Sequence, residues 1–98
     1  MIIAELAIFP TSEGASVSRY VRGAIGALEA TGLKMETGAM STTIEAPDLA
    51  SLWRAIEAAD AVLVKAGAAR IHIDLRIDQR LDKDATMESK KKAVGKAR

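Results

Sequence analysis

A chain of 98 residues with 49% apolar content and a net charge of +1 is expected to form one domain, residues 1–98, around a single core. It contains no cysteine, which excludes disulfides, thiolate catalysis and cysteine-ligated metals. One Trp, one Tyr and one Phe leave that core to aliphatic side chains.

The opening Met1-Ile2-Ile3-Ala4-Glu5-Leu6 has neither a basic region nor a long apolar stretch, and no run approaches a transmembrane helix. The expectation is a cytoplasmic protein with no membrane partner. Ile2 to Phe9 is apolar except for Glu5 and reads as a central strand that Pro10 ends. Thr11-Ser12-Glu13-Gly14-Ala15 has turn chemistry. Val17, Val21, Ala24, Ile25 and Leu28 then recur at spacings of three and four, the stripe of an amphipathic helix, with Ser16 as its predicted cap and Gly32 as its terminator.

Leu33–Thr37 and Ser41–Glu45 read as two short strands joined by a hairpin at Gly38-Ala39. Pro47-Asp48 opens a second helix whose stripe is Leu49, Leu52, Ile56, Ala59 and Leu63, with Trp53 flanking it and Gly67 ending it. Ile71 to Asp78 alternates strictly: Ile71, Ile73, Leu75 and Ile77 face one way, His72, Asp74, Arg76 and Asp78 the other. After the charged loop Asp82-Lys83-Asp84, a short third helix follows with Thr86 as its cap.

Strand, helix, strand, strand, helix, strand is the split βαβ order. The predicted fold is therefore α+β, a ferredoxin-like βαββαβ sandwich. Its four-stranded antiparallel sheet carries two helices on one face, and a C-terminal helix follows. Parity puts Ile2, Ala4, Leu6 and Ile8 under the helices and Ile3, Glu5, Ala7 and Phe9 on the open face beside His72, Asp74, Arg76 and Asp78. Ile3 and Phe9 are costly to leave wet in one patch, and Glu5 and Arg76 are placed to pair across strands. Such a face suits a sheet-to-sheet oligomer interface.

Residues 1–79 carry seven Lys/Arg and ten Asp/Glu, whereas residues 80–98 carry seven and three. The basic tail has no aromatic residue to stack on a base, so a solvated terminal helix without a nucleic-acid partner is expected. His72 has neither a cysteine to activate nor a second histidine with which to hold a metal. Glu13-Gly14-Ala15-Ser16 matches no phosphate-loop or dinucleotide pattern. Nothing here points to an enzyme, a resident metal or a cofactor. The polar side chains that remain, Ser16, Ser18, Thr42 and Thr43, carry hydroxyls that both donate and accept, which suits a small heteroaromatic ring.

Several segments together form a pattern: Ile3-Ala4-Glu5 with Phe9-Pro10, Ser16-Val17-Ser18-Arg19-Tyr20-Val21, Gly32-Leu33-Lys34, Met40-Ser41-Thr42-Thr43-Ile44-Glu45, Ala66-Gly67-Ala68-Ala69-Arg70-Ile71, and Ile77-Asp78-Gln79-Arg80 with Asp82-Lys83. In that order, from Met1 to about Val94, the chain resembles the YkoF-like thiamine/hydroxymethylpyrimidine-binding family of small ferredoxin-like proteins. The resemblance implies a homo-oligomer in which dimers pair into tetramers. It also implies binding of thiamine or its pyrimidine half, without catalysis, for sequestration or delivery. The chain departs from the family pattern at Met35, often aromatic, at Ala39, often Pro, at Ala46, often Gly, and at Leu81, often Arg.

An aminopyrimidine needs a carboxylate or carbonyl, a hydroxyl and apolar walls. Ser16 and Thr42 are the predicted hydroxyls, with Ser18 beside them. Met40 is the predicted wall, and Glu45 or Asp74 the carboxylate for the amine or the thiazolium. The competing reading is a structural or regulatory homo-oligomer with no physiological small ligand.

Overall fold

The computed structural model describes residues 1–15 and 17–95. Seven elements follow one another: β1 (Ile2–Pro10), α1 (Ser18–Glu29), β2 (Lys34–Thr37), β3 (Thr42–Ala46), α2 (Leu49–Lys65), β4 (Ile71–Gln79) and α3 (Met87–Gly95). The strands form one antiparallel sheet in the order β2-β3-β1-β4, the ferredoxin-like arrangement. β1 is the central strand because it is apolar on both faces, and β4, charged on one face, takes the edge.

The register sets both faces. Ala4 lies between Ile44 and Ile77, and Leu6 between Thr42 and Leu75. These residues, with Ile2 and Ile8, meet Ala24 and Leu28 of α1 and Leu52, Ala55, Ala59 and Leu63 of α2 in one aliphatic core. Each large side chain buried there contributes about 1.5–3 kcal/mol. Tyr20 is buried as well. Its hydroxyl donates to Glu13 Oε1 at 3.0 Å and accepts from the Arg19 guanidinium at 2.6 Å, which supplies the partners that burial demands. The deepest line of α1 is thus Tyr20, Ala24 and Leu28, while Val17, Val21 and Ile25 are only half-buried. The predicted stripe is turned by one position.

The helix ends are set by local chemistry. Asp48 Oδ1 accepts the Ser51 N–H at 2.7 Å and caps α2, and this bond holds the Asp48 carboxyl below its ordinary value. α2 finishes in a Schellman motif: Gly67 N–H bonds to the Val64 carbonyl, Ala68 N–H to the Leu63 carbonyl, and Gly67 has φ 91°. α3 opens on a reciprocal box in which Thr86 Oγ1 accepts from Ser89 N–H and Ser89 Oγ accepts from Thr86 N–H. At α1 the cap position belongs to Val17, which makes no side-chain capping bond. The predicted cap, Ser16, lies outside the described residues.

The other face of the sheet differs from expectation. The C-terminal segment crosses the open face: residues 88–95 are exposed, as expected of a solvated helix, but its start is buried against the sheet. Ala85 and Met87 pack on Ile3 in a second, small core. The Met87 N–H donates to Glu45 Oε1 at 2.6 Å. Lys90 pairs with Asp78 at 2.6 Å and Lys91 with Glu36 at 2.8 Å, so α3 spans from β4 to β2. Ile3 is therefore sheltered within the same chain. Phe9 stacks instead on its cross-strand neighbour His72, with ring centroids 5.1 Å apart.

Candidate functional site

β1 outruns its partner. It pairs with β4 from Ile2 to Pro10 but with β3 only from Ile2 to Leu6. Beyond Leu6 its edge faces the β2–β3 hairpin across a gap, and alternate residues there turn N–H and C=O groups into it. α1 passes above the same gap. The result is a cleft of about 200 Å³. Leu6 and Ile8 line its floor, Val17, Val21, Ile25 and Leu28 its helical wall, and Thr37 to Thr42 its rim. Ala7 and Phe9 border it too. Since Phe9 stacks on His72 on the opposite face, it meets the cleft through its main chain.

Among the described residues the lining contains none that is charged. Its polar groups are the hydroxyls of Thr37 and Thr42 and the main chain of β1 and the hairpin. Thr42 is buried, on the helix side of β3. Ser41 leads out of the cleft: its hydroxyl donates to Glu5 Oε2 at 3.1 Å, and Glu5 pairs with Arg76 at 3.7 Å, the cross-strand pair expected from sequence. Walls without charge, two threonine hydroxyls and a strand edge that β3 leaves open suit a small neutral ring with donor and acceptor edges. The volume lies below the ~300–1,000 Å³ usual for drug-sized ligands, which favours a single ring.

The structure brings together only part of the predicted constellation. Met40 and Thr42 both line the cleft. Ser18 is exposed on the first turn of α1 and is not among the lining residues. Ser16 lies outside the described residues. Glu45 and Asp74 are on the far face of the sheet: Glu45 is covered by α3 and occupied by the Met87 N–H, and Asp74 lies 3.1 Å from His72 Nε2. The first carboxylate reached from the rim is Glu5, through Ser41. The half-buried Val21 and Ile25 and the free edge of β1 were not anticipated as a site. The signal for the edge was available, since the first predicted strand is longer than the strand destined to pair with it. Among the described residues no group of three or more His, Cys, Asp or Glu is placed to hold a metal ion, and no helix is long and apolar enough to cross a membrane.

A family model described as thiamine-binding protein matches residues 4–95. The chain belongs to the thiamine-binding protein family. Among relatives of this family, it is 40% identical to UPF0045 protein MJ1052 of Methanocaldococcus jannaschii over 94 residues, covering 96% of this chain and 92% of that one. It is 38% identical to UPF0045 protein YqgV of Bacillus subtilis over 101 residues, covering 98% and 96%. The crystal structure of MJ1052 superposes with a TM-score of 0.84 at 43% identity, over 96% of this chain and 95% of that one. A candidate thiamine biosynthesis/salvage protein, TM0486 of Thermotoga maritima, shares the fold with a TM-score of 0.77 at 22% identity, over 99% and 98%. The sequence resemblance to thiamine-binding proteins is thus upheld at the level of family, and the ferredoxin-like fold with it.

Proposed function

We propose that this member of the thiamine-binding protein family is a non-catalytic, cytoplasmic binding protein for thiamine or its hydroxymethylpyrimidine half, and that the cleft between α1, β1 and the β2–β3 hairpin is its site. The observation that carries the reading is the hydroxyl of the buried Thr42 on an uncharged cleft of about 200 Å³, beside a strand edge with no strand partner among the described residues. The aminopyrimidine enters as the neutral ring. Its amine donates to a main-chain carbonyl of the β1 edge, its ring nitrogens accept from N–H or hydroxyl groups, and Val21, Ile25 and Ile8 cover its apolar parts. In intact thiamine the thiazolium lies at the mouth, where Glu5 beyond Ser41 is the nearest carboxylate in the bonding network. The protein supplies no reacting group and needs no cofactor. It sequesters or delivers its ligand.

Calorimetry with thiamine and with hydroxymethylpyrimidine tests this. Thr42→Val keeps the shape and removes one hydroxyl, and losing one hydrogen bond should cost about 0.5–1.5 kcal/mol, up to roughly tenfold in affinity. Absence of saturable binding by the unaltered protein at millimolar ligand refutes the function. Equal binding by Thr42→Val moves the ligand away from Thr42.

A second reading rests on the open face. α3 leaves half of it uncovered, with Ala7, the Phe9–His72 stack, Asp74 and the Glu5–Arg76 pair. We propose that a second copy of the chain covers this half, giving a homo-oligomer. Light scattering at micromolar concentration checks it, and a monomer refutes it.

A further inference from the structure

We infer that the hairpin tip Ala39-Met40 is a lid and that the Met40 thioether closes over the face of the bound ring. This rests on the proposed function and adds the residue that covers the ligand.

Met40 borders the cleft yet is 88% exposed. An unbranched apolar side chain held in water at the mouth of an apolar cleft gains by folding inward once something flat fills the space beneath it. The base of the loop is fixed. Gly38 N–H bonds to the Ser41 carbonyl at 2.8 Å, and the Ser41 hydroxyl is tied to Glu5. Only the tip between these anchors is left to move, and rotation about the Met40 side-chain bonds closes the mouth without moving the sheet.

No aromatic side chain competes for this role. Phe9 is stacked on His72 across the sheet. Tyr20 is buried and bonded to Glu13 and Arg19. Trp53 is on α2 and is not among the lining residues. The polarisable group available at the rim is the Met40 sulfur, which packs favourably on an aromatic ring. The occupant is therefore a flat, uncharged six-membered heteroaromatic ring, with the lid acting on its face while Thr42 and the β1 edge act on its rim.

The test uses protein labelled with ¹³C at the methionine methyls, titrated with hydroxymethylpyrimidine and followed by NMR, with the Met40 signal assigned from Met40→Leu. The Met40 methyl should move upfield into the ring current, while the Met87 methyl, on the far face of the sheet, stays in place. Met40→Ala should weaken binding by roughly two- to tenfold, and Met40→Leu by less. Both variants should fold, because the side chain is outside the core. Saturable binding with an unmoved Met40 methyl, or with full affinity in Met40→Ala, overturns the lid and leaves the proposed function standing. Absence of binding by the unaltered protein overturns both.

Discussion

Glu45→Ala should release α3 without unfolding the domain. Glu45 is only 5% exposed, and its Oε1 accepts the N–H of Met87 at the first turn of α3, at 2.6 Å. That N–H is one of the four that a helix cannot satisfy internally, and the carboxylate also faces the positive end of the helix. A hydrogen bond to a charged acceptor is worth about 1.5–3 kcal/mol. The remaining anchors of α3 are few. Met87 against Ile3 contributes a further ~1.5–3 kcal/mol. The pairs Lys90–Asp78 and Lys91–Glu36 are half-exposed and worth about 0–1 kcal/mol each. Glu45 is therefore the strongest single tie between α3 and the sheet, and without it few contacts hold the helix in place.

The mutant therefore has an alternative to a buried, unsatisfied amide, because α3 can detach. Hydrogen exchange read by mass spectrometry should show lost protection across 87–95, with β1 and α2 unchanged. The thermal midpoint should fall by roughly 4–8 °C for each kcal/mol by which the docked helix stabilised the whole. Glu45→Gln keeps an acceptor and loses only the charge, so it should give a smaller change in the same direction. Unchanged protection of 87–95 in Glu45→Ala would refute the reasoning. Loss of protection throughout the domain would show that α3 is not a separable unit.

Gly67→Ala places a Cβ at φ 91° in the turn that ends α2 and should cost about 1–2 kcal/mol, read as a lower urea midpoint. An unchanged midpoint would mean that the Schellman turn is dispensable. Arg80 donates two hydrogen bonds to Asp82 and holds its carboxyl down from 3.8 to about 2. A depressed carboxyl favours the folded state above its unfolded value, and that contribution is lost as pH falls through the folded one. The difference in stability between the wild type and Asp82→Asn should therefore be constant above 3.8 and shrink from there towards 2. Urea curves that keep the same separation throughout that window would remove Asp82 from the acid response. Asp48, lowered by the Ser51 N–H, acts with the same sign, so Asp48→Ala should also flatten the acid limb and fray the first turn of α2. Unchanged exchange at the start of α2 would count against the cap.

Local pattern determined much of this molecule before any contact was known. Strict alternation from Ile71 to Asp78 dictated a strand and its two faces, and the observed register pairs Glu5 with Arg76, as parity allowed. Helical spacing located α1 and α2, while Asp48, Thr86, Gly32 and Gly67 marked ends that the structure keeps, because caps and left-handed turns depend on a few adjacent residues. The family, too, was legible in the ordered segments. What only tertiary structure decided involves partners distant in the chain. Glu45 meets an amide 42 residues further on, so the same carboxylate that suits a ligand amine became the anchor of α3. Parity had already set Asp74 on the open face, and what the tertiary structure decided is that the cleft lies on the helix side. The cleft itself comes from β1 being longer than β3, together with the angle at which α1 crosses the strand end that β3 leaves open. The unequal strand lengths were legible in the sequence, but the cleft was not, because a sequence pattern specifies which way a side chain points along its own element and not where a neighbouring helix crosses it.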